Sequence, residues 1–264
     1  MKRLLPALCL SFIACIAQAD SRTVTIGFSP CHADSSSKVY TRALVANAAD
    51  WVSNSSSPSS TDVLLVRGYG MTSSISGGYT DACDSVFIKK ALNAVGYSSV
   101  TVVNEGASGL KPTRAAGYDV IVYIGDSWPV HHIGTVRTLA DAALNGVGLI
   151  LTGDDVSWHT GSATYPDPTY APLLWQFLTR LEPVDNGPGG PTETITLTAT
   201  GSAHAVMTGP HGTVGTITTL STCSSGSPAP CNANDVDTTV AYPSAVVLAE
   251  SSGSQPAVVA AELK

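Results

Sequence analysis

The stretch "GVGLILTGDDVSWH" (Gly146–His159) joins a glycine-rich start to four consecutive apolar residues and then to two carboxylates, a tryptophan and a histidine. A short apolar run bounded by glycine is typical of a buried strand. The change to polar residues predicts that this strand ends at the surface and delivers polar side chains there. The segment is therefore expected to be a central strand that leads into a functional loop.

Similar apolar runs occur on the N-terminal side of this strand, and each is separated from the next by a segment with helical periodicity. Continuous apolar strands that alternate with helices predict an α/β fold, with a mostly parallel sheet covered on both faces. The predicted strands are "TVTIGF" (23–28), "DVLLVRG" (62–68), "SVTVV" (99–103), "YDVIVYIG" (118–125) and "GLILTG" (148–153). The predicted helices are 38–52, 84–96 with Val86, Ile88, Leu92 and Val95 on its buried face, and 135–146 with a glycine cap.

The chain changes character after residue 182. The segment "TETITLTAT" (192–200) alternates like a half-exposed strand, and "SAVVLAE" (244–250) and "PAVVAAEL" (256–263) resemble a late pair of strands. We expect residues 183–264 to form a β-rich C-terminal edge of the same domain. That single domain would span residues 20–264, with a first strand-helix unit at 20–53 and a core at 62–182.

Residues 1–19 have the pattern of a secretory signal peptide. Lys2 and Arg3 precede a short apolar run, and Ala17-Gln18-Ala19 is a small-x-small site with cleavage expected before Asp20. A second interpretation makes Cys15 a lipidated first residue, although Phe12 fits a lipobox poorly. Either interpretation predicts a secreted or periplasmic protein.

Composition limits the partners of the exported chain. Only 12% of the 264 residues are charged and the formal net charge is −7, so no basic face is expected for nucleic acid. No second apolar segment is long enough to cross a membrane. The sequence does not indicate an oligomeric state, and a small-molecule or saccharide ligand is the partner that it allows.

Four cysteines follow the signal peptide, and an even number in an oxidising compartment predicts two disulfides. Cys223 and Cys231 flank a short Pro/Gly/Ser loop and are expected to pair. Cys31 and Cys83 then pair by elimination. The alternative of a cysteine metal site is disfavoured, because no C-x-x-C spacing is present.

Three segments of this chain resemble the trehalose-utilisation-like branch of the class I glutamine amidotransferase-like superfamily. They are "YDVIVYIGDSW" (118–128), "TLADAALNGVGLILTGDD" (138–155) and "SAHAVMTG" (202–209). The resemblance covers most of the mature chain and implies a flavodoxin-like three-layer sandwich.

The order of the segments departs from that family. A strand followed by a helix with an "N-A-x-x-W" pattern normally closes the domain, whereas here Asn47, Ala48 and Trp51 carry that pattern near the start. Circular permutation explains the order, and it implies that "TVTIGF" lies antiparallel to "PAVVAAEL". It also implies that Cys31 lies on the same edge of the sheet as the loop before Cys83. The alternatives are a chance similarity of the first unit or a chain truncated after Lys264.

The resemblance implies a cysteine nucleophile on the turn after the central strand, but that turn here reads "LTGDD". Gly153 or Asp154 stands at the nucleophile position, so glutamine hydrolysis by the family route is not expected.

Ligands of parallel sheets bind outside the carboxyl ends of the strands, so the polar residues of those loops are the candidate site. Carboxylates beside histidines suit acid-base chemistry or a divalent metal, which is therefore an open cofactor prediction, and tryptophans suit sugar rings. The simpler alternative is that the carboxylates cap helices and the tryptophans cover the edge of the core. The candidate catalytic residues are Asp154, His159 and Asp155, and the candidate ligand-binding residues are Asp126, Trp128, His131, His132, Trp158 and His32.

Two classes of function fit these residues. One is a binding module that recognises a saccharide or another component of the cell envelope. The other is a carbohydrate-active hydrolase or lyase that uses Asp/His acid-base or metal chemistry. Outside this set, His204 is expected to fix a turn.

Overall fold

A nine-stranded mixed sheet organises the chain, in the strand order β3-β2-β4-β5-β1-β11-β10-β7-β8. The computed structural model describes residues 21–53, 55, 57–68, 82–125, 130, 132–153, 156, 171–185, 192–220 and 238–263. The strands are β1 (Ser21–Ile26), β2 (Asp62–Arg67), β3 (Ser99–Asn104), β4 (Val120–Ile124), β5 (Gly148–Thr152), β6 (Leu181–Asp185), β7 (Thr192–Leu197), β8 (Ile217–Leu220), β9 (Thr238–Ala241), β10 (Val246–Glu250) and β11 (Pro256–Leu263). The helices are α1 (Lys38–Ser53), α2 (Ala82–Ala94), α3 (Pro112–Ala115), α4 (Ile133–Leu144), α5 (Ala171–Thr179) and α6 (Ala205–Thr208).

The sheet has a parallel half and an antiparallel half. Strands β3, β2, β4, β5 and β1 run parallel to one another. From β1 outward, each pairing with β11, β10, β7 and β8 is antiparallel. The α/β class and the mostly parallel centre predicted from the sequence are therefore confirmed.

Side chains of the central strands alternate between two hydrophobic cores. On β2, Val63 and Leu65 pack into one core and Leu64 and Val66 into the other. The first core includes buried residues of α1 and α2, and the second includes buried residues of α4 and α5. Because both faces of these strands are buried, their sequences read as continuous apolar runs.

Helices α1, α2 and α4 follow the predicted segments, with one error in the buried face of α2, whereas α3, α5 and α6 were not predicted from the sequence. Ile88 and Leu92 are fully buried, but Val86 is 45% exposed. Successive helical residues turn by about 100°, so Val86 lies about 200° from Ile88 and cannot share its face. The predicted glycine cap of α4 is present, since Gly146 has φ +87° and its N–H donates to the carbonyl of Ala143.

The late strands extend the main sheet and form the β-rich C-terminal edge that the sequence predicted. β7, β10 and β11 lie within the three predicted segments. Strands β6, β8 and β9 were not predicted from the sequence. They are short, and β6 and β9 pair with each other in a separate two-stranded sheet.

The pairing of the first and last strands agrees with the permuted order. β1 and β11 are antiparallel over six residue pairs, from Ser21 opposite Leu263 to Ile26 opposite Val258. This pairing was the structural consequence drawn from the permutation, and it is confirmed.

Among the described helices, none is long and apolar enough to cross a bilayer.

Helix α1 crosses the start of β5 at a glycine. A Cβ on Gly148 would lie 2.4 Å from the carbonyl oxygen of Val52, which is a backbone atom that cannot move aside alone. We expect Gly148→Ala to lower the free energy of unfolding by about 1–3 kcal/mol, the usual cost of overpacking, as measured by urea denaturation. The matched control is Gly134→Ala in α4, where the new Cβ would meet only an ordinary contact at 3.6 Å. Equal stability of the two variants would contradict this packing.

Candidate functional site

The candidate site lies at the carboxyl edge, which we define as the edge of the sheet where β1, β2, β3, β4 and β5 end. Residue Ile124 of β4 lies opposite Thr152 of β5, which in turn lies opposite Ile26 of β1. The adjacency continues past the strands, because the N–H of Gly125 donates to the carbonyl of Thr152 at 2.7 Å. The loops that begin at residues 126 and 154 therefore leave the sheet from neighbouring positions.

The turn after β5 requires a glycine. Gly153 has φ +134°, a conformation that side chains other than glycine rarely adopt. Its N–H donates to the carbonyl of Ile26 at 3.2 Å, which ties the turn to the end of β1. The residue at this sharp turn thus carries no side chain that could act as a nucleophile.

Most of the predicted site residues lie outside the described residues. These are Asp126, Trp128, His131, Asp154, Asp155, Trp158 and His159. The predicted Cys223–Cys231 pair also lies outside them. Among the predicted site residues, the described part of the chain thus includes only His32 and His132, together with Cys31 and Cys83.

His32 lies in a short 3-10 helix (Pro30–His32) that follows β1 at the carboxyl edge. The preceding residue, Cys31, forms the predicted disulfide with Cys83, and their Cα atoms are 5.9 Å apart. The N–H of Cys31 also donates to the buried carboxylate of Asp84 at 2.7 Å. The start of α2 is therefore fixed to the end of β1, and the disulfide is compatible with an extracellular location.

Cys31, His32 and Cys83 form the one group among the described residues whose geometry could hold a metal ion. One ligand atom from each lies within 4.8 Å of the others. In the oxidised protein both sulfurs are bonded to each other, whereas the thiolate is the form of cysteine that binds metals. The group is thus weak support for the divalent metal that the sequence left open.

His132, which is half-buried, is the N-cap residue of α4, and the first turn of that helix also binds a buried carboxylate that the sequence analysis missed. Glu105, only 3% exposed, follows β3 at the carboxyl edge. Its two oxygens accept hydrogen bonds from the hydroxyls of Tyr123, at 3.0 Å, and Thr135. The Thr135 hydroxyl also accepts from the N–H of Leu110 at 2.8 Å, so Glu105 joins β3, β4 and α4.

We call Glu105, Tyr123 and Thr135 the Glu105 cluster. It lies where the connections between successive strands change direction along the sheet. The chain leaves β2 toward β3 on one side and leaves β4 toward β5 on the other, although β2 and β4 are neighbours. Such a switch point is where open α/β sheets bind ligands. Two glycines mark it, since a Cβ on Gly68 would lie 2.9 Å from the carbonyl oxygen of Ile124 and Gly125 follows β4. A glutamate directly after a strand was the only sequence signal for this cluster.

The residues of the "N-A-x-x-W" pattern contact the segment that contains His204. The buried amide of Asn47 donates to the carbonyl of Gly212 at 2.9 Å and accepts from the N–H of His211 at 3.0 Å. The rings of Trp51 and His204 meet edge to face, with centroids 5.1 Å apart. Segments that are far apart in sequence and carry the family resemblance therefore pack against each other.

His204 fixes a turn, as the sequence predicted. It is the N-cap of α6, and its Nδ1 accepts the N–H of Val206 at 3.2 Å. Burial, together with the positive charge of Arg22, lowers the pKa of His204 below the ordinary value. The neutral ring is favoured at pH 7, with its proton on Nε2 because Nδ1 is an acceptor.

A second polar cluster that the sequence analysis missed supports the same segment. His211 Nε2 lies 2.8 Å from Asp50 Oδ2, and Asp50 Oδ1 accepts from the hydroxyl of Tyr97 at 2.6 Å. Burial, and then the hydrogen bond with Asp50, raises the pKa of the Tyr97 phenol, so the hydroxyl stays protonated and donates. These contacts hold the segment after α6 on α1.

Comparison with known proteins does not place the chain in a family. No protein-family model, no curated protein and no solved structure matches it. The structure therefore classifies the protein as an α/β protein with a large mixed sheet.

The disulfide closes a loop of 52 residues, and cross-links of that length restrict the unfolded chain strongly. We expect the double variant Cys31→Ala/Cys83→Ala to lose about 4 kcal/mol of unfolding free energy, according to the loop-entropy relation. Denaturation of oxidised protein measures this loss. The control is Cys223→Ala/Cys231→Ala, where any bond closes a much shorter loop and the loss should be smaller. A greater loss in the control would contradict the assignment of the long cross-link.

The lowered pKa of His204 predicts a pH-dependent contribution to stability. The unfolded chain binds a proton on this histidine near pH 6.5, whereas the folded chain resists it, so stability is lost as the pH falls below that value. We expect the unfolding free energy of the wild type, relative to His204→Asn, to decrease between pH 7.5 and pH 5. Asparagine keeps an N-cap acceptor without titrating. A constant difference across this range, measured in urea, would overturn the prediction.

Proposed function

We propose that this chain is an exported, circularly permuted member of the class I glutamine amidotransferase-like superfamily, in its trehalose-utilisation-like branch. It has a flavodoxin-like three-layer fold and no glutaminase activity. It binds a saccharide or another cell-envelope ligand at the carboxyl edge of the sheet.

The pairing of the strands supports the permuted order. The permutation requires the first strand to lie where the family has its closing strand, next to the last strand of the chain. β1 meets this requirement, since it lies between β5 and β11 and pairs with both. The contacts of Asn47 and Trp51 with the segment around His204 support the family assignment in the same way.

The turn after β5 supports the loss of glutaminase activity. Relatives carry their nucleophile at this turn, whereas Gly153 has no side chain there and Asp154 follows it. A carboxylate at this position would bind hydroxyl groups or a cation instead of attacking an amide. The proposed role is therefore recognition, with Asp154 and His159 as its main polar groups.

The observation that carries the binding proposal is the adjacency of β4, β5 and β1 at the carboxyl edge. It brings the starts of the two polar loops and the His32 segment to consecutive positions along one edge. Asp126 and Asp154 each come one residue after the last hydrogen-bonded glycine of their strands. A ligand that contacts both loops needs no rearrangement of the sheet.

Thermal unfolding tests this proposal on the oxidised mature protein. We expect an oligosaccharide, alone or together with a divalent metal, to raise the unfolding temperature by about 5–10 °C at a hundred times its dissociation constant. The rise should disappear in Asp154→Ala and in His159→Ala, because these variants remove polar groups of the binding loops.

The matched control is Asp141→Ala, an exposed carboxylate on α4, which should keep the full ligand-induced rise. Equal behaviour of Asp154→Ala and Asp141→Ala would contradict a site at the carboxyl edge. If the oligosaccharide is cleaved during the incubation and Asp154→Ala abolishes cleavage, the same loops form an active site and the binding-only proposal is wrong.

A further inference from the structure

A groove of about 330 Å³ lies at the opposite end of β1 from the carboxyl edge. We call it the Trp51 groove. Helix α1 contributes Trp51, and the N-cap of α6 contributes His204. The segment entering β10 contributes Ser244 and Val246, and β11 contributes Ala260, Ala261 and Glu262. Its volume is at the small end of the range for ligand sites and suits one or two sugar rings.

The indole of Trp51 is held in place by two neighbouring side chains. The guanidinium of Arg22 lies 5.2 Å from the centre of the indole and donates to the carbonyl of Trp51 at 3.1 Å. On another side the ring contacts His204 edge to face. A fixed aromatic ring binds a flat apolar surface at a low cost in conformational entropy.

Small side chains of β11 leave space beside the indole. Ala260 shares the face of β11 that carries Glu262, and its methyl group leaves room that a longer side chain would fill. On the neighbouring strand, Val246 lies directly opposite Ala260 and is 37% exposed. The apolar part of the groove therefore combines one aromatic ring with small aliphatic groups.

The polar groups of the groove include both donors and acceptors. His204 Nε2 carries the ring proton and can donate, because Nδ1 already accepts from the backbone. The hydroxyl of Ser244 accepts from the guanidinium of Arg180 at 3.1 Å and can donate its own proton, and the half-exposed carboxylate of Glu262 accepts. Hydroxyl groups of a sugar, which donate and accept, match this set.

The charged groups at the groove are each held by contacts within the protein. Arg22 and Glu262 lie directly opposite on β1 and β11, and Nε of Arg22 is 3.7 Å from the carboxylate of Glu262. A second guanidinium, that of Arg180, donates to Ser244 Oγ at 3.1 Å and lies over the ring of Phe177. The neutral form of His204 is favoured at pH 7, so it adds little charge. An ionic ligand therefore has to compete with contacts that the protein already makes.

We propose that the Trp51 groove is a binding site for a neutral pyranose. One apolar face of the sugar packs on the Trp51 indole, and its hydroxyls bond with His204, Ser244 and Glu262. This site lies at the end of the sheet opposite the carboxyl edge, and it does not depend on the proposed function of that edge.

Isothermal titration of the full mature chain with glucose, cellobiose, glucuronate and glucosamine tests the proposal. We expect cellobiose or glucose to bind at least about tenfold more tightly than the two charged sugars, since a charged group has to compete with the ion pair and hydrogen bonds already made within the protein. Tighter binding of glucuronate or glucosamine would overturn the neutral specificity. Absence of binding by glucose and cellobiose would overturn the site itself.

Two variants locate the binding. Val246→Trp fills the groove from an exposed position and should abolish binding, and Glu262→Gln should weaken it by about tenfold, the value of a charge-assisted hydrogen bond. Glu182→Gln changes an exposed carboxylate on β6 and is the matched control, which should bind normally. Sugar binding that survives Val246→Trp but is lost in Asp154→Ala would overturn the groove and leave the carboxyl-edge proposal intact. Loss in Val246→Trp alone would support the groove independently of that edge.

Discussion

The hydrogen bonding of β1 on both of its sides is the constraint on which the rest of the structure depends. This strand pairs in parallel with β5 and antiparallel with β11, and it is the only link between the two halves of the sheet in the described part of the chain. Its side chains Val24 and Ile26 are fully buried. This first described strand therefore completes a sheet whose other strands come later in the sequence. The parallel and antiparallel halves become one hydrophobic structure through it.

Helix α1 holds the segment that follows α6 in place through side-chain hydrogen bonds. Its residue Asn47 satisfies two backbone groups of the segment after α6, and Asp50 binds His211 of the same segment. A Cβ at Gly209 would lie 2.5 Å from Asn47 Oδ1, so glycine is needed for this close approach. The short sequence pattern that suggested a family thus has a physical role in this fold, because its asparagine holds the segment after α6 on α1.

The parts of the fold that the sequence predicted are those with a strong signal in a short stretch of sequence or in the number of cysteines. Continuous apolar runs identified the central strands, and cysteine parity identified the Cys31–Cys83 pair. Strand β8 (Ile217–Leu220) was missed, because four residues that include two threonines give too little alternation. Glu105 was missed for another reason, since burial of a single carboxylate depends on hydroxyls from β4 and α4 that are distant in sequence. Most residues of the predicted site lie outside the described residues, so the pairing of their strands tests only where their loops begin.

The residue pairing between β1 and β11 determines which charged side chains lie near the Trp51 groove. Side chains alternate along a strand, so Arg22 shares a face with Val24 and Ile26, and Glu262 shares a face with Ala260. The pairing of Arg22 with Glu262 therefore places an ion pair on the face that α1 covers, next to Trp51. A shift of β1 by one residue against β11 would turn Arg22 away from Glu262 to the opposite face, and it would move Val24 and Ile26 out of the first core. The same burial of Val24 and Ile26 that joins the two halves of the sheet thus also fixes the Arg22–Glu262 ion pair beside the Trp51 groove.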